Sequence, residues 1–148
     1  MRFPSFALPG SDGKIHKLAD YKGKPLVVYF YPKDNTPGCT TQACGFRDAQ
    51  AAIKRAGAAV LGVSPDDLAS HARFVAKHQL TFPLLVDEGH ALAEKLGVWA
   101  EKTLYGRKFM GIVRSTFLVA PDGSIAREWR KVKVAGHVDE VLAAVKAL

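Results

Sequence analysis

Apolar positions along the chain fall into short unbroken runs, separated by stretches with helical spacing. Leu26-Val27-Val28-Tyr29-Phe30-Tyr31 is apolar without alternation, the pattern of a central strand covered on both faces. Ala58 to Val63 reads as a second short strand, and Phe82 to Val86 as a third, interrupted by Pro83. A helix is predicted over roughly 39–55, ending near Gly57. Ser64-Pro65-Asp66-Asp67 has the composition of a helix start, with Ser64 as cap, Pro65 in the first turn and Asp67 completing a capping box. That helix carries Leu68, Phe74 and Val75 to about His78, and a shorter one runs from Ala91 to Leu96 before Gly97. Ser115 to Val119, the turn Pro121-Asp122-Gly123 and Ile125 to Val132 form a hairpin. From His137 to Leu148, Val138, Val141, Leu142 and Val145 share one face of a final amphipathic helix.

At the other end, Ser11-Asp12-Gly13 between Phe6/Leu8 and Ile15/Leu18 predicts a small hairpin. The order is therefore a hairpin, then βαβαβα, then ββα. Strands alternating with helices imply a parallel sheet, to which the late hairpin adds antiparallel strands. The expectation is an α/β thioredoxin fold with an N-terminal β-hairpin extension and a central mixed sheet flanked by helices. Residues 1–148 read as a single domain, without repeat, linker or low-complexity tract.

Composition changes this picture little. Apolar content of 48% and charged content of 24% are ordinary for a globular chain. No apolar run approaches the ~20 residues of a membrane span. The start Met1-Arg2-Phe3-Pro4-Ser5 lacks the apolar block of a signal peptide, and a cytoplasmic location is expected. The net charge of +7 raises the question of a nucleic-acid or acidic partner. The basic residues are spread, with only local clusters such as Arg127, Arg130, Lys131 and Lys133, so a solvated basic surface is read instead.

The chemistry concentrates in Pro32-Lys33-Asp34-Asn35-Thr36-Pro37-Gly38-Cys39-Thr40-Thr41-Gln42-Ala43-Cys44, which holds both cysteines of the chain. A strand, a tight polar turn and a helix start place Cys39 where backbone N–H groups have no partner, a setting that favours a thiolate. Two cysteines are too few for a disulfide scaffold, and in a reducing compartment a bond between them would be transient. In a continuous helix, residues five apart are ~7.5 Å apart along the axis and ~140° apart around it. Their Cα atoms are then roughly 8–9 Å apart, whereas a disulfide needs less than about 7 Å. Cys39 and Cys44 therefore cannot bond while this helix is intact. Pro32 and Pro37 stiffen the turn, Thr36 has a hydroxyl within reach of the sulfur, and Gly38 lets backbone N–H groups approach a ligand.

Other candidates carry less. His16, His71, His78, His90 and His137 are scattered and read as surface residues, and Cys-x4-Cys lacks the spacing of common zinc sites, so no metal and no cofactor are expected. Trp99 and Trp129 read as packing residues. Tyr105, Phe109 and Met110 fall in an irregular segment after Trp99. Asp66-Asp67 reads as helix capping, and Arg47-Asp48 as a pair helping to order the helix that bears Cys44.

Pro-x-x-x-Thr-x-x-Cys, here Pro32 to Cys39, resembles the active-site signature of the peroxiredoxins. Asp34 to Cys39 and Ala43-Cys44-Gly45-Phe46-Arg47-Asp48 are similar to the peroxiredoxin Q, or bacterioferritin comigratory protein, branch. The likeness extends to Val60-Leu61-Gly62-Val63-Ser64, Phe82-Pro83-Leu84-Leu85, Leu96-Gly97-Val98-Trp99 and Arg114-Ser115-Thr116-Phe117. It implies a peroxidase acting on hydrogen peroxide and alkyl hydroperoxides. Cys39 would be the peroxidatic thiolate and Cys44 the resolving thiol of a transient intramolecular disulfide. Thr36 and the N–H groups near Gly38 and Cys39 would hold the peroxide oxygens, Arg114 would stabilise the thiolate and developing charge, and Pro32 would cover the site. Gln42 stands where glutamate is frequent in this branch. A thioredoxin-like dithiol would restore both thiols, and with the resolving thiol in the same chain a monomer is expected.

Two other classes fit parts of the sequence. A general thiol–disulfide exchanger would use two cysteines, but such enzymes commonly carry Cys-x-x-Cys rather than Cys-x4-Cys. A chaperone or nucleic-acid-associated protein would use the positive charge, without calling on the cysteines.

Overall fold

The computed structural model describes residues 1–148. Its centre is a five-stranded sheet of β3 (Leu26–Phe30), β4 (Ala59–Ser64), β5 (Leu84–Val86), β8 (Ser115–Val119) and β9 (Ile125–Trp129), in the order β5-β4-β3-β8-β9. β3 pairs parallel with β4, Val28 opposite Leu61, and antiparallel with β8, Val28 opposite Phe117. Every residue of β3 is buried, as its unbroken apolar run predicts. In front lie the short strands β1 (Ala7–Pro9) and β2 (Ile15–Lys17), paired antiparallel as the expected N-terminal hairpin.

Helices α1 (Pro37–Arg55), α2 (Leu68–His78), α3 (Ala91–Lys95) and α4 (His137–Lys146) flank the sheet. The two-residue period of β3 divides the core between the two faces. Val27, Tyr29 and Tyr31 pack with Phe46 and Ile53 of α1, Phe74 of α2, and Val141 and Val145 of α4. Leu26, Val28 and Phe30 pack on the opposite face with Phe3, Phe6, Leu92, Val98 and Phe117. The Phe46 ring stacks on Tyr29 with centroids 4.7 Å apart, which fixes α1 against the central strand.

Three local expectations change. The helix bearing the cysteines begins at Pro37, two residues earlier than the apolar spacing indicates, because proline at the first helical position needs no N–H acceptor. Ser64 does not cap α2. It ends β4 fully buried, its hydroxyl donating to Asp66 Oδ2, while the cap is Asp67, which accepts from the Ser70 N–H at 2.8 Å. The segment after Trp99 is not irregular: β6 (Trp99–Leu104) and β7 (Arg107–Ile112) form an antiparallel hairpin. Its turn residues Tyr105 and Gly106 have φ of 51° and 76°, the positive pair that a two-residue hairpin turn requires.

Candidate active site

The site forms where the central strand β3 ends. Tyr31 continues β3, Pro32 follows half buried, and residues 32–36 turn the chain into α1. Thr36 is the N-cap residue, with φ −94° and ψ 156°. Its carbonyl accepts from the Thr40 N–H at 2.8 Å, and its hydroxyl donates to Lys33 O at 2.9 Å. The Thr36 proton is thus engaged inside the loop, while its oxygen keeps lone pairs for a donor. The N–H groups of Gly38 and Cys39 precede Thr40 in the first turn, where an α-helix has no carbonyl to offer them. They form the positive end of a 19-residue helix dipole beside the Cys39 sulfur.

Cys39 is 1% exposed. Arg114, in the short connection between β7 and β8, reaches across to it. Its Nη2 donates to Cys39 Sγ at 3.2 Å and its Nη1 to Gln42 Oε1 at 2.6 Å. Gln42 lies one turn beyond Cys39 on α1 and is fully buried, so the two ends of the guanidinium are fixed by two residues of the same helix. A neutral amide therefore does hold Arg114 at the position where the resemblance leads one to look for glutamate. Gly38 borders the same contact: a Cβ there would lie 3.2 Å from Arg114 Nη2.

The charge of Arg114 is felt around it. Lys102 Nζ donates to Ile112 O at 2.8 Å, and its amine is pulled below the usual lysine range by burial and then by Arg114. His137 begins α4 and meets Thr116 Oγ1 through Nε2 at 2.8 Å. Burial lowers its proton affinity, with Glu140 opposing and Arg114 adding to the drop. The Tyr29 hydroxyl is buried without a hydrogen-bond partner, and burial, followed by the field of Cys39, pushes it well above the usual tyrosine range.

Cys44 is half buried and Cys39 buried, neither is in a disulfide, and both lie within the unbroken helix α1. The structure therefore has the two thiols in the reduced, separated arrangement that the spacing dictates. Arg47, one turn past Cys44, pairs with Asp48 at 3.0 Å and donates through Nη1 to the carbonyl of His78 at the end of α2. It ties the cysteine helix to its neighbour, a bond whose partner is invisible in local sequence.

The histidines are not uniformly on the surface. His16, His71 and His137 are buried. His71 is the most enclosed, and with Asp34 and Asp66 it forms a cluster whose ligand-type atoms lie within 4.8 Å of one another. Each member is already hydrogen-bonded within the protein: His71 Nδ1 to Asp34 Oδ2 at 2.6 Å, and Asp66 Oδ2 to the Asp34 N–H and the Ser64 hydroxyl. The cluster is accordingly a closed polar network. Sequence reasoning passed over it because Asp34, Asp66 and His71 are far apart in the chain and unremarkable singly.

The arrangement is suited to one kind of chemistry. A buried sulfur faces a guanidinium and a helix N-terminus, positive groups that favour an attacking anion and can receive the charge of a departing oxygen. A second thiol waits in the same helix. Comparison with known proteins agrees. The model of the AhpC/TSA family matches residues 1–128. The peroxiredoxin Bcp of Bacillus subtilis (strain 168) is 52% identical over 143 residues, spanning 97% of this chain and 91% of its own. The peroxiredoxin Bcp of Escherichia coli (strain K12) is 46% identical over 139 residues, 94% of this chain and 89% of its own. Among solved structures, the bacterioferritin comigratory protein of Xanthomonas campestris, studied for alkyl peroxide reduction in trapped intermediate and ligand complexes, superposes with a TM-score of 0.91. It shares 48% identity and covers 96% of this chain and 90% of that one.

Proposed function

The chain belongs to the AhpC/TSA family as a thioredoxin-fold peroxiredoxin of the Bcp type, a peroxidase, and from that premise we propose that Cys39 attacks the peroxide and Cys44 resolves the product. The observation that carries the assignment is the Arg114 Nη2 contact with Cys39 Sγ at 3.2 Å, at the N-terminus of α1. The Cys39 thiolate attacks one oxygen of ROOH. The O–O bond breaks, Cys39 becomes a sulfenic acid, and RO⁻ leaves, taking a proton to become ROH or water. The N–H groups of Gly38 and Cys39, with the guanidinium, stabilise that departing charge in the manner of an oxyanion hole. The Thr36 oxygen accepts from the peroxide O–H, and Pro32 limits the access of water.

Cys44 then attacks the Cys39 sulfenic acid, releasing water and forming the Cys39–Cys44 disulfide. Because both residues lie in α1, this step requires the first turns of the helix to unwind. A thioredoxin-like dithiol returns both thiols and is itself oxidised to a disulfide. Substrates are hydrogen peroxide and alkyl hydroperoxides. With both sulfurs in one chain, a monomer suffices, and cytoplasmic reductants would serve it.

The test is intact mass under denaturing conditions after adding one equivalent of hydrogen peroxide to the reduced protein, with Cys44→Ser alongside. The expected wild-type product is monomeric and two hydrogens lighter. The variant should instead gain one oxygen. An unchanged wild-type mass over minutes would overturn the peroxidase reading.

A further inference from the structure

We propose that Asp34 and His71 are positioning residues for the peroxide reaction, a buried carboxylate–imidazolium clamp that holds the middle of the active-site loop against α2 and β5. The proposal rests on the peroxidase reading above. Asp34 lies in the loop between β3 and α1, two residues before the Thr36 cap and five before Cys39. Its side chain is 2% exposed and that of His71 is 0% exposed. A carboxylate so enclosed is tolerated only when its lone pairs are occupied, and here they are. Oδ1 accepts from the Tyr31 hydroxyl at 2.6 Å. Oδ2 accepts from the Ser70 hydroxyl at 2.8 Å and from His71 Nδ1 at 2.6 Å.

The geometry also sets the protonation state of the histidine. Nε2 lies 2.9 Å from the carbonyl oxygen of Leu85, which can only accept, so Nε2 carries a proton. Nδ1 faces an oxygen that already takes a hydroxyl donor, the environment of a carboxylate rather than of a carboxylic acid. With an acceptor oxygen facing each ring nitrogen, His71 sits in the arrangement of an imidazolium that donates from both. The balance of effects on the ring agrees: burial opposes the charge, and the hydrogen bond and charge of Asp34, the Leu85 carbonyl and Asp66 together outweigh it and raise the proton affinity.

The cation has a task that follows from its neighbours. From β3 comes the Tyr31 hydroxyl, from α2 Ser70, from β5 the Leu85 carbonyl, and from the β4–α2 connection a second carboxylate, Asp66, which accepts the Asp34 N–H at 2.8 Å. Lys77 of α2 reaches the next loop residue, Asn35, at 3.3 Å on the exposed side. Two buried or half-buried carboxylates thus meet beside one loop, and His71 supplies the donor that faces them from α2. When His71 loses its second proton, Nδ1 no longer donates to Asp34 Oδ2, and the bond that ties α2 to the loop presenting Pro32, Thr36 and the first turn of α1 is lost.

The experiment uses the full chain in reduced form. Long-range ¹H–¹⁵N spectra of histidine-labelled protein should show His71 with both nitrogens protonated at pH 7 and a titration above the ordinary histidine range. Stopped-flow oxidation of Cys39 by hydrogen peroxide, followed against pH, should slow across that same titration. Asp34→Asn, nearly identical in shape, should be slower by about tenfold or more at pH 7. It should also lose the alkaline fall, while alkylation of Cys39 by iodoacetamide changes by less than about twofold because the reagent does not need the peroxide geometry. A neutral His71 at pH 7, an Asp34→Asn rate equal to wild type, or alkylation falling in step with peroxidation would each overturn the clamp. Absence of any wild-type reaction with peroxide would instead overturn the peroxidase reading, and the spectra would still decide the state of His71.

Discussion

Gly38→Ala should make the enzyme slower without making it less stable. Gly38 lies in the first turn of α1, and its φ lies outside the left-handed region, so alanine fits the backbone. In a helix interior, alanine in place of glycine stabilises by about 0.5–1 kcal/mol, and by less in the first turn. The new Cβ, however, would lie 3.2 Å from Arg114 Nη2, the nitrogen that itself lies 3.2 Å from Cys39 Sγ. A carbon that close obliges the guanidinium to shift by a few tenths of an ångström or to swing away, since α1 is backed by Phe46 and Ile53 in the core and cannot retreat. A charge-assisted hydrogen bond contributes about 1.5–3 kcal/mol. With a factor of ten for each ~1.4 kcal/mol, loss of the contact corresponds to a rate lower by about 10- to 150-fold. Partial displacement falls toward the lower end. The assay is the second-order rate of Cys39 oxidation by hydrogen peroxide in stopped flow, with the thermal midpoint measured on the same samples. Introducing Gly38→Ala into Arg114→Ala closes a double-mutant cycle, and there it should have almost no further effect. A rate within twofold of wild type, or an equal loss in the Arg114→Ala background, would refute the role given to this contact.

Arg114→Ala alone should retain the fold and reduce the peroxide rate on the order of a hundredfold, the range seen when one oxyanion-stabilising donor is removed, as read by the same stopped-flow assay. Gln42→Ala should lower the rate several-fold through loss of the second anchor on Arg114, whereas Gln42→Glu, able to receive the same guanidinium nitrogen, should keep a rate near wild type. Asp67→Ala should cost about 1 kcal/mol in chemical denaturation through loss of the α2 cap. The folded state raises the proton affinity of His71, so its contribution to stability is complete below about pH 6.5 and is lost as pH rises through the higher folded value. His137 has the opposite sign: its lowered affinity gives stability that is present above about pH 6.5 and lost as pH falls, so denaturation curves from pH 5 to 9 should separate the two through Asp34→Asn and His137→Gln.

The large elements were legible because their burial is written in single runs or periods. β3 is apolar at every position, and α4 repeats its valines at helical spacing. The proposed reactive centre draws on a single stretch for a similar reason, since Thr36, Gly38, Cys39 and Cys44 are local in the chain. The β6–β7 hairpin was not, because most of its residues are exposed and its turn is Tyr-Gly rather than the commoner Asn-Gly. Ser64 misled because a serine before proline and two aspartates looks like a cap, while strand pairing with Val86 keeps it in the sheet and leaves the cap to Asp67. The Gln42–Arg114 and Asp34–His71 bonds span 72 and 37 residues, and no local pattern announces either.

The stretch between the two sulfurs also holds Arg114 in place, and in the proposed cycle this would couple turnover to the integrity of the site. Gln42, which fixes one end of the guanidinium, lies between Cys39 and Cys44 on α1. A disulfide cannot span those cysteines until the turns containing Gln42 open. In the proposed cycle, unwinding would take Gln42 from Arg114 and carry Cys39 away from the helix N-terminus, so that forming the disulfide would dismantle the arrangement proposed to activate the sulfur. The disturbance has natural limits. Upstream, the Asp34 bonds to Tyr31, Ser70 and His71 involve no residue between the cysteines. Downstream, Phe46 stacks on Tyr29 and Arg47 holds the His78 carbonyl. The loop from Pro32 to Thr36 and the body of α1 beyond Phe46 can therefore stay seated while the turns between them open. On reduction, the proposed cycle would refold the first turns between two fixed ends, returning Arg114 to both partners together.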